Sequence, residues 1–246
     1  MDDKRIWKDE YEIKSYHVDL NKKLRLSTLF TFFQESAFRH AEFHQAGYSS
    51  LMQENTIWLL SKLFIKFDRL PGWGEKIILK TWPKKPKRLY ALRDFQIIDQ
   101  DSNIICSGGS AWVLFDFHKR RPRKPDEVIA RFPGLTGRDA LEYNLSKIPD
   151  LTEYTESYSH KAAYSDIDLY RHVNNSRYVE WIMNSFPGDF FETGKIKQIR
   201  IDFMNEALFG DEVVINKQTG DGQLFFNCIR KNDNKEIIRS VITTDF

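Results

Sequence analysis

Apolar positions along this chain change their spacing in the same order twice. Leu26, Phe30, Phe33 and Ala37 recur at helical intervals, with Ser27 as a candidate N-cap and Gly47 as a C-terminal stop. Tyr178, Trp181, Ile182 and Ser185 do so again, behind a cap at Asn174 or Asn175 and ahead of Pro187-Gly188. After each helix the period falls toward two. Ile199, Ile201 and Phe203 alternate with Arg200 and Asp202, and the run Ile77-Ile78-Leu79 reads as a strand. Asp101-Ser102-Asn103 and Lys231-Asn232-Asp233-Asn234-Lys235 are turn clusters of the kind that join neighbouring strands of an antiparallel meander.

The recurrence has a sequence basis. Tyr16 to Leu24 can be laid on Ser165 to Val173, with Asp19 and Asp168 standing 149 positions apart. Ile65 to Glu75 can be laid on Ile201 to Asp211, with Gly74 and Gly210 standing 136 apart. Each copy supplies a short strand, one long helix and a run of longer strands, which predicts an α+β fold. The arrangement expected is a tandem double hot-dog, each repeat a helix wrapped by a curved antiparallel sheet, with the two forming a pseudo-dimer within one chain. The predicted boundaries are 8–118 for the first repeat, 119–157 for a proline-containing connector and 158–246 for the second.

Composition narrows the class. With 41% hydrophobic and 14% aromatic residues in 246, the chain can bury a sizeable core. A net charge of +2 argues against nucleic acid as partner. Cys106 and Cys228 lie in no metal-binding or disulfide spacing, so no metal or cofactor is expected. The apolar stretch from Trp58 to Phe67 is broken by Ser61, Lys62 and Lys66 and falls short of the ~20 residues of a membrane span. The acidic start Met1-Asp2-Asp3 lacks the features of an export signal, and a cytoplasmic location is expected.

Ionisable and polar groups concentrate just ahead of the second helix, in Ser165 to Tyr178. A helix N-terminus presents unpaired amides and the positive end of a dipole, which suits a developing oxyanion. Asp168-x-x-x-His172-Val173-Asn174-Asn175-x-x-Tyr178 resembles the signature of hot-dog thioesterases. Trp58, the run Asp68 to Glu75 and Thr81-Trp82 resemble more narrowly the first half of plant and bacterial acyl-ACP thioesterases. The resemblance covers both repeats. It implies a catalytic Asp, Asn, His and Glu, of which Asp168, His172 and Glu206 match three. Tyr170 occupies the Asn position, where its hydroxyl is a candidate donor, and Ala207 replaces a Cys of plant members, which excludes a thiol mechanism there.

Subtracting the offsets puts Lys23 opposite His172 and Leu70 opposite Glu206, so the first copy has lost both groups and one site per chain follows. The resemblance implies hydrolysis of fatty acyl thioesters of acyl carrier protein in fatty acid biosynthesis. In the expected mechanism Glu206 activates water, Asp168 orients or attacks directly through an anhydride, His172 handles the proton, and amides of Val173 and Asn174 hold the oxyanion. Taken singly, Asp168 and Asn174 also suit turn and helix capping, and Tyr178 and Trp181 suit the core.

Phe30, Phe33 and Trp58 are candidate walls of an acyl pocket. Lys119, Arg120, Arg121, Arg123 and Lys124 form a basic cluster, either a solvated strand end or a docking rim for the acidic carrier protein. Competing functions are an acyl-CoA thioesterase, separable by turnover on the two carriers, and a non-catalytic acyl-thioester sensor, for which His172 and Glu206 would be superfluous. A dehydratase is a weaker rival, since Ser185-Phe186-Pro187-Gly188-Asp189-Phe190 lacks the His its pattern needs. The oligomeric state stays open, a homodimer included.

Overall fold

In a computed structural model, which describes residues 4–188, 190, 195–220 and 222–245, the first copy starts with strand β1 (Trp7–Glu12) and helix α1 (Leu26–Phe43). A short helix α2 (Tyr48–Gln53) leads into β2 (Thr56–Phe67), β3 (Lys76–Lys87), β4 (Tyr90–Ile98) and β5 (Ile104–Asp116). A short β6 (Arg121–Arg123) and helix α3 (Asp126–Ile129) follow. The second copy comprises β7 (Thr155–Lys161), helix α4 (Asn175–Asn184), β8 (Lys195–Phe203), β9 (Glu212–Gly220), β10 (Gln223–Arg230) and β11 (Lys235–Asp245). Asp189 of the Ser185-to-Phe190 stretch lies outside the described residues, as do 191–194, 221 and 246 of the second repeat.

Contacts divide the chain into two compact units, Met1–Leu24 with Thr31–Asn144, and Arg25–Phe30 with Leu145–Phe246. In the first, the strand order is β1-β3-β4-β5-β2, with β6 added to β5; in the second it is β7-β9-β10-β11-β8. Among the described residues the strands within each unit pair antiparallel, and the two orders correspond strand for strand. Register shifts in β2 at Leu60/Lys62 and between Cys228 and Ile229 in β10 bend the strands around their helices.

Helix α1 forms where the pattern predicts, because Leu26, Phe30, Phe33, Ala37 and Ala41 all fall on one stripe and are buried. Ser27 lies inside its first turn rather than capping it, and Gly47 starts α2 instead of merely ending α1. Gly108 in β5 lets the helix approach the sheet: a Cβ there would sit 2.9 Å from the Phe33 ring. Helix α4 is only 10 residues long, below the ~12–15 that an isolated helix needs. It is held by the burial of Tyr178, Val179, Trp181 and Ile182, worth roughly 2 kcal/mol for each aliphatic side chain.

The stretch 119–157 is less of a linker than its prolines suggest. Val128, Ile129 and Phe132 join the cluster of Ala46, Leu51 and Leu114 in the first unit. Buried carboxylates then tie the chain down on either side of the unit boundary. Asp94 accepts from the amide of Ala140 at 2.7 Å and from the Tyr143 hydroxyl at 3.3 Å. Asp202 accepts from the amide of Ile148 at 2.9 Å. Burial without such donors would cost each carboxylate several kcal/mol.

Candidate active site

The polar segment ahead of α4 is folded by its own short side chains. Asp166, nearly buried, accepts the amide of Ala163 at 2.8 Å and pairs with His160 Nε2 at 2.9 Å. A bridge between Ile167 and Val173 then closes a tight turn. Within it the Asp168 amide donates to His172 O at 2.9 Å, and Asp168 Oδ1 accepts the amides of Tyr170 and His172 at 2.9 and 3.4 Å. Arg171 takes the left-handed conformation this turn requires, with φ of 66°. Asn174 caps α4, its Oδ1 accepting the Ser176 amide at 2.9 Å and hydroxyl at 2.8 Å.

The stretch after β8 runs alongside. A bridge pairs His172 with Leu208, and the Val173 amide donates to Ala207 O at 2.8 Å. This pairing brings His172 Nδ1 to 3.8 Å from Glu206 Oε2, with about a third and three fifths of the two side chains exposed. Asp168 belongs to the same turn through the His172 amide. Its carboxyl is raised above the usual range chiefly by burial, against the lowering effect of its two amide donors. The first copy has an equivalent bridge between Lys23 and Gly72, so Lys23 takes the place of His172 there.

The oxyanion expectation needs correcting. Val173 donates its amide to Ala207 O, and Asn174 donates its amide to Asp166 O at 2.8 Å, so both are engaged in holding the turn. The pocket candidates are packed side chains in this structure. Phe33 stacks on Phe95 with ring centroids 4.4 Å apart, Phe30 is buried, and Trp58 Nε1 donates to Ala46 O at 2.9 Å. In the basic cluster Lys119 pairs with Asp116 and Arg123 with Glu127, while Arg120, Arg121 and Lys124 are exposed.

Two contributors escaped the sequence reading. The Tyr178 hydroxyl accepts the Ala207 amide at 3.0 Å, and Arg230 Nη1 donates to Glu206 O at 2.6 Å. Tyr178 could have been found from its fixed place in the His172-to-Tyr178 motif. For Arg230 nothing in the local pattern gives a signal.

Two helix-in-sheet repeats, of which the second sets a histidine against a glutamate at the mouth of its helix, define a double hot-dog protein. The model for the acyl-ACP thioesterase N-terminal domain matches residues 4–132 and that for the C-terminal domain matches residues 150–245; the chain belongs to the acyl-ACP thioesterase family. It is 26% identical to a chloroplastic palmitoyl-acyl carrier protein thioesterase of Cuphea hookeriana, over 97% of this chain and 62% of the relative. It is 27% identical to the chloroplastic oleoyl-acyl carrier protein thioesterase 2 of Arabidopsis thaliana, over 87% of this chain and 63% of the relative. The chain thus spans about three fifths of these relatives' length. Among solved structures, an acyl-ACP thioesterase from Bacteroides thetaiotaomicron superposes with a TM-score of 0.90 at 26% identity, covering 98% of both chains. The 12:0-ACP thioesterase of Umbellularia californica shares the fold, with a TM-score of 0.81, 21% identity and coverage of 98% and 97%.

Proposed function

We propose that this protein hydrolyses fatty acyl thioesters of acyl carrier protein, releasing the free fatty acid and the carrier thiol in fatty acid biosynthesis. Family membership supports the reaction class. The observation that carries the reading is the approach of His172 Nδ1 to Glu206 Oε2 at 3.8 Å, on a turn whose first-copy counterpart holds Lys23 and Leu70 at the matching positions.

Glu206 takes a proton from water as the hydroxyl adds to the thioester carbonyl. The proton taken by Glu206 passes by way of His172 to the departing thiolate as the tetrahedral adduct collapses, so one water is consumed for each acid and thiol released and both side chains return to their starting state. The oxyanion is assigned to the first turn of α4, where the Asn175 amide has no acceptor among the described residues. Asp168 orients the His172 turn by accepting the Tyr170 and His172 amides, and its second oxygen is assigned the role of assistant or direct nucleophile. Tyr170 is assigned a hydroxyl donor role in place of the family's Asn. Phe30, Phe33 and Trp58 are retained as candidate acyl-chain walls.

The exposed cations Arg120, Arg121 and Lys124, with Lys119 and Arg123, suit an acidic carrier protein. Among the described residues no helix is long and apolar enough to cross a membrane. Thiol release from an acyl carrier protein panel tests the reading. His172→Ala and Glu206→Gln are each expected to lose roughly 10²–10⁴-fold in turnover. Undiminished turnover in both variants removes the site assignment.

A further inference from the structure

The peptide that joins Glu206 to Ala207 is gripped at both of its polar ends. Its carbonyl accepts from Arg230 Nη1 at 2.6 Å, and its amide donates to the Tyr178 hydroxyl at 3.0 Å. Tyr178 is 1% exposed and Ala207 fully buried, so neither end of that amide bond can exchange its partner for bulk water. Tyr178 is the fourth residue of α4, one turn in from the cap that Asn174 makes, and it therefore links the helix start directly to the segment carrying Glu206.

The two copies separate what this junction does for the fold from what it does for Glu206. In both, an amide on the turn donates to the carbonyl opposite: Val173 to Ala207 O at 2.8 Å, and Leu24 to Pro71 O at 2.9 Å. That bond belongs to the fold. The hydroxyl-to-amide bond cannot exist in the first copy, where Leu29 stands 149 positions before Tyr178 and Pro71 stands 136 before Ala207. Leucine has no hydroxyl and proline no N–H. Donor and acceptor are both missing from the copy that also lacks the histidine and the glutamate, and the first copy packs without them.

We infer that Tyr178 is a positioning residue for the hydrolytic reaction, its hydroxyl fixing the Glu206–Ala207 peptide so that the Glu206 carboxylate faces His172. The inference rests on the reading of Glu206 as the general base. A misplacement of about 1 Å in a reacting group can cost ~10²-fold in rate. Arg230 holds the same peptide from the opposite side, anchored in turn on Asp233 at 2.7 and 2.9 Å.

A double-substitution cycle on the full chain tests it, with kcat and KM measured on one acyl carrier protein thioester and the folded fraction monitored by thermal unfolding. Tyr178→Phe is expected to lower kcat by about tenfold or more per folded molecule, with KM within about twofold of wild type. In a Glu206→Gln background the same change should cost nothing further, because the group it positions is already gone. Arg230→Lys supplies a second variant should Tyr178→Phe fold poorly, and the same non-additive loss of kcat is expected. Losses that multiply with that of Glu206→Gln, or a Tyr178→Phe variant as fast as wild type, overturn the positioning role. Full turnover by Glu206→Gln itself would instead overturn the reading on which it rests.

Discussion

The turn at 18–24 and the turn at 167–173 have almost the same backbone and differ almost entirely in what they carry. In the first, Asp19 Oδ1 accepts the amides of Asn21 and Lys23 at 2.9 and 3.0 Å, and Lys22 is left-handed with φ of 59°. In the second, Asp168 accepts those of Tyr170 and His172, and Arg171 has φ of 66°. The aspartate is thus needed to build the turn in either copy. A facing histidine and glutamate appear where Lys23 is exchanged for His172 and Leu70 for Glu206. Geometry shared by the two turns belongs to the scaffold, and the residues that differ are the candidates for the site.

The sharpest way to break this contrast is to substitute matching positions. His172→Ala and Glu206→Gln should lose roughly 10²–10⁴ in kcat, whereas Lys23→Ala and Leu70→Gln stay within about twofold, as read by thiol release. Equal losses in the two copies would mean that the first turn also takes part.

Asp168→Asn against Asp19→Asn comes next. Asparagine keeps the Oδ1 acceptor, so both variants should fold, but only Asp168→Asn should lose kcat, by about tenfold. Burial raises the Asp168 carboxyl, so the native state holds that proton more tightly than the unfolded chain. Its contribution to stability is greatest in acid and is lost as pH rises from the unfolded carboxylate range through the raised native value. Relative to wild type, Asp168→Asn should therefore gain stability as pH rises through that window, seen in denaturant midpoints between about pH 3 and 7. Parallel curves for the two proteins would show that burial does not act on this carboxyl.

A third test concerns what the first copy keeps inside. His40 is fully buried, with Nδ1 facing Arg93 Nη1 at 3.1 Å and His44 across its ring. Burial first, then the Arg93 and His44 charges, pull it down from 6.5 to about 2. The unfolded chain therefore binds the extra proton below 6.5, and stability should fall with falling pH by about 1.4 kcal/mol per pH unit from this group. His40→Gln, still an acceptor for Arg93, should flatten the slope of unfolding free energy against pH by that one proton. The smallest effect is expected from Arg120→Glu, Arg121→Glu and Lys124→Glu together. They should raise KM for the carrier-bound substrate by about fivefold at low salt, fading as ionic strength approaches about 1 M. A salt-independent change, or none, would leave the cluster as a solvated strand end.

Much of this was legible in the chain. The offsets of 149 and 136 reappear as bridges, Ile167 with Val173 matching Val18 with Leu24, and His172 with Leu208 matching Lys23 with Gly72. Periodicity found both long helices, and the cap at Asn174 forms as expected. What periodicity reports is the side of an element that is buried, not the partner that a given amide meets. The Val173 and Asn174 amides looked open because their acceptors, Ala207 O and Asp166 O, are backbone carbonyls that carry no side-chain mark. Ser27 has the residue type of a cap, but the helix begins one residue ahead of it, at Leu26. The connector looked loose because Val128, Ile129 and Phe132 are too short a run to declare that they return to the core.

Pro71 limits how far the two halves can be interchanged. Exchanging Lys23 for histidine and Leu70 for glutamate would not by itself rebuild the second copy's arrangement in the first, since the backbone at Pro71 has no proton for a tyrosine at position 29 to hold. A graft of the second turn's side chains onto the first therefore has to change the backbone at Pro71 as well as the residues that face it.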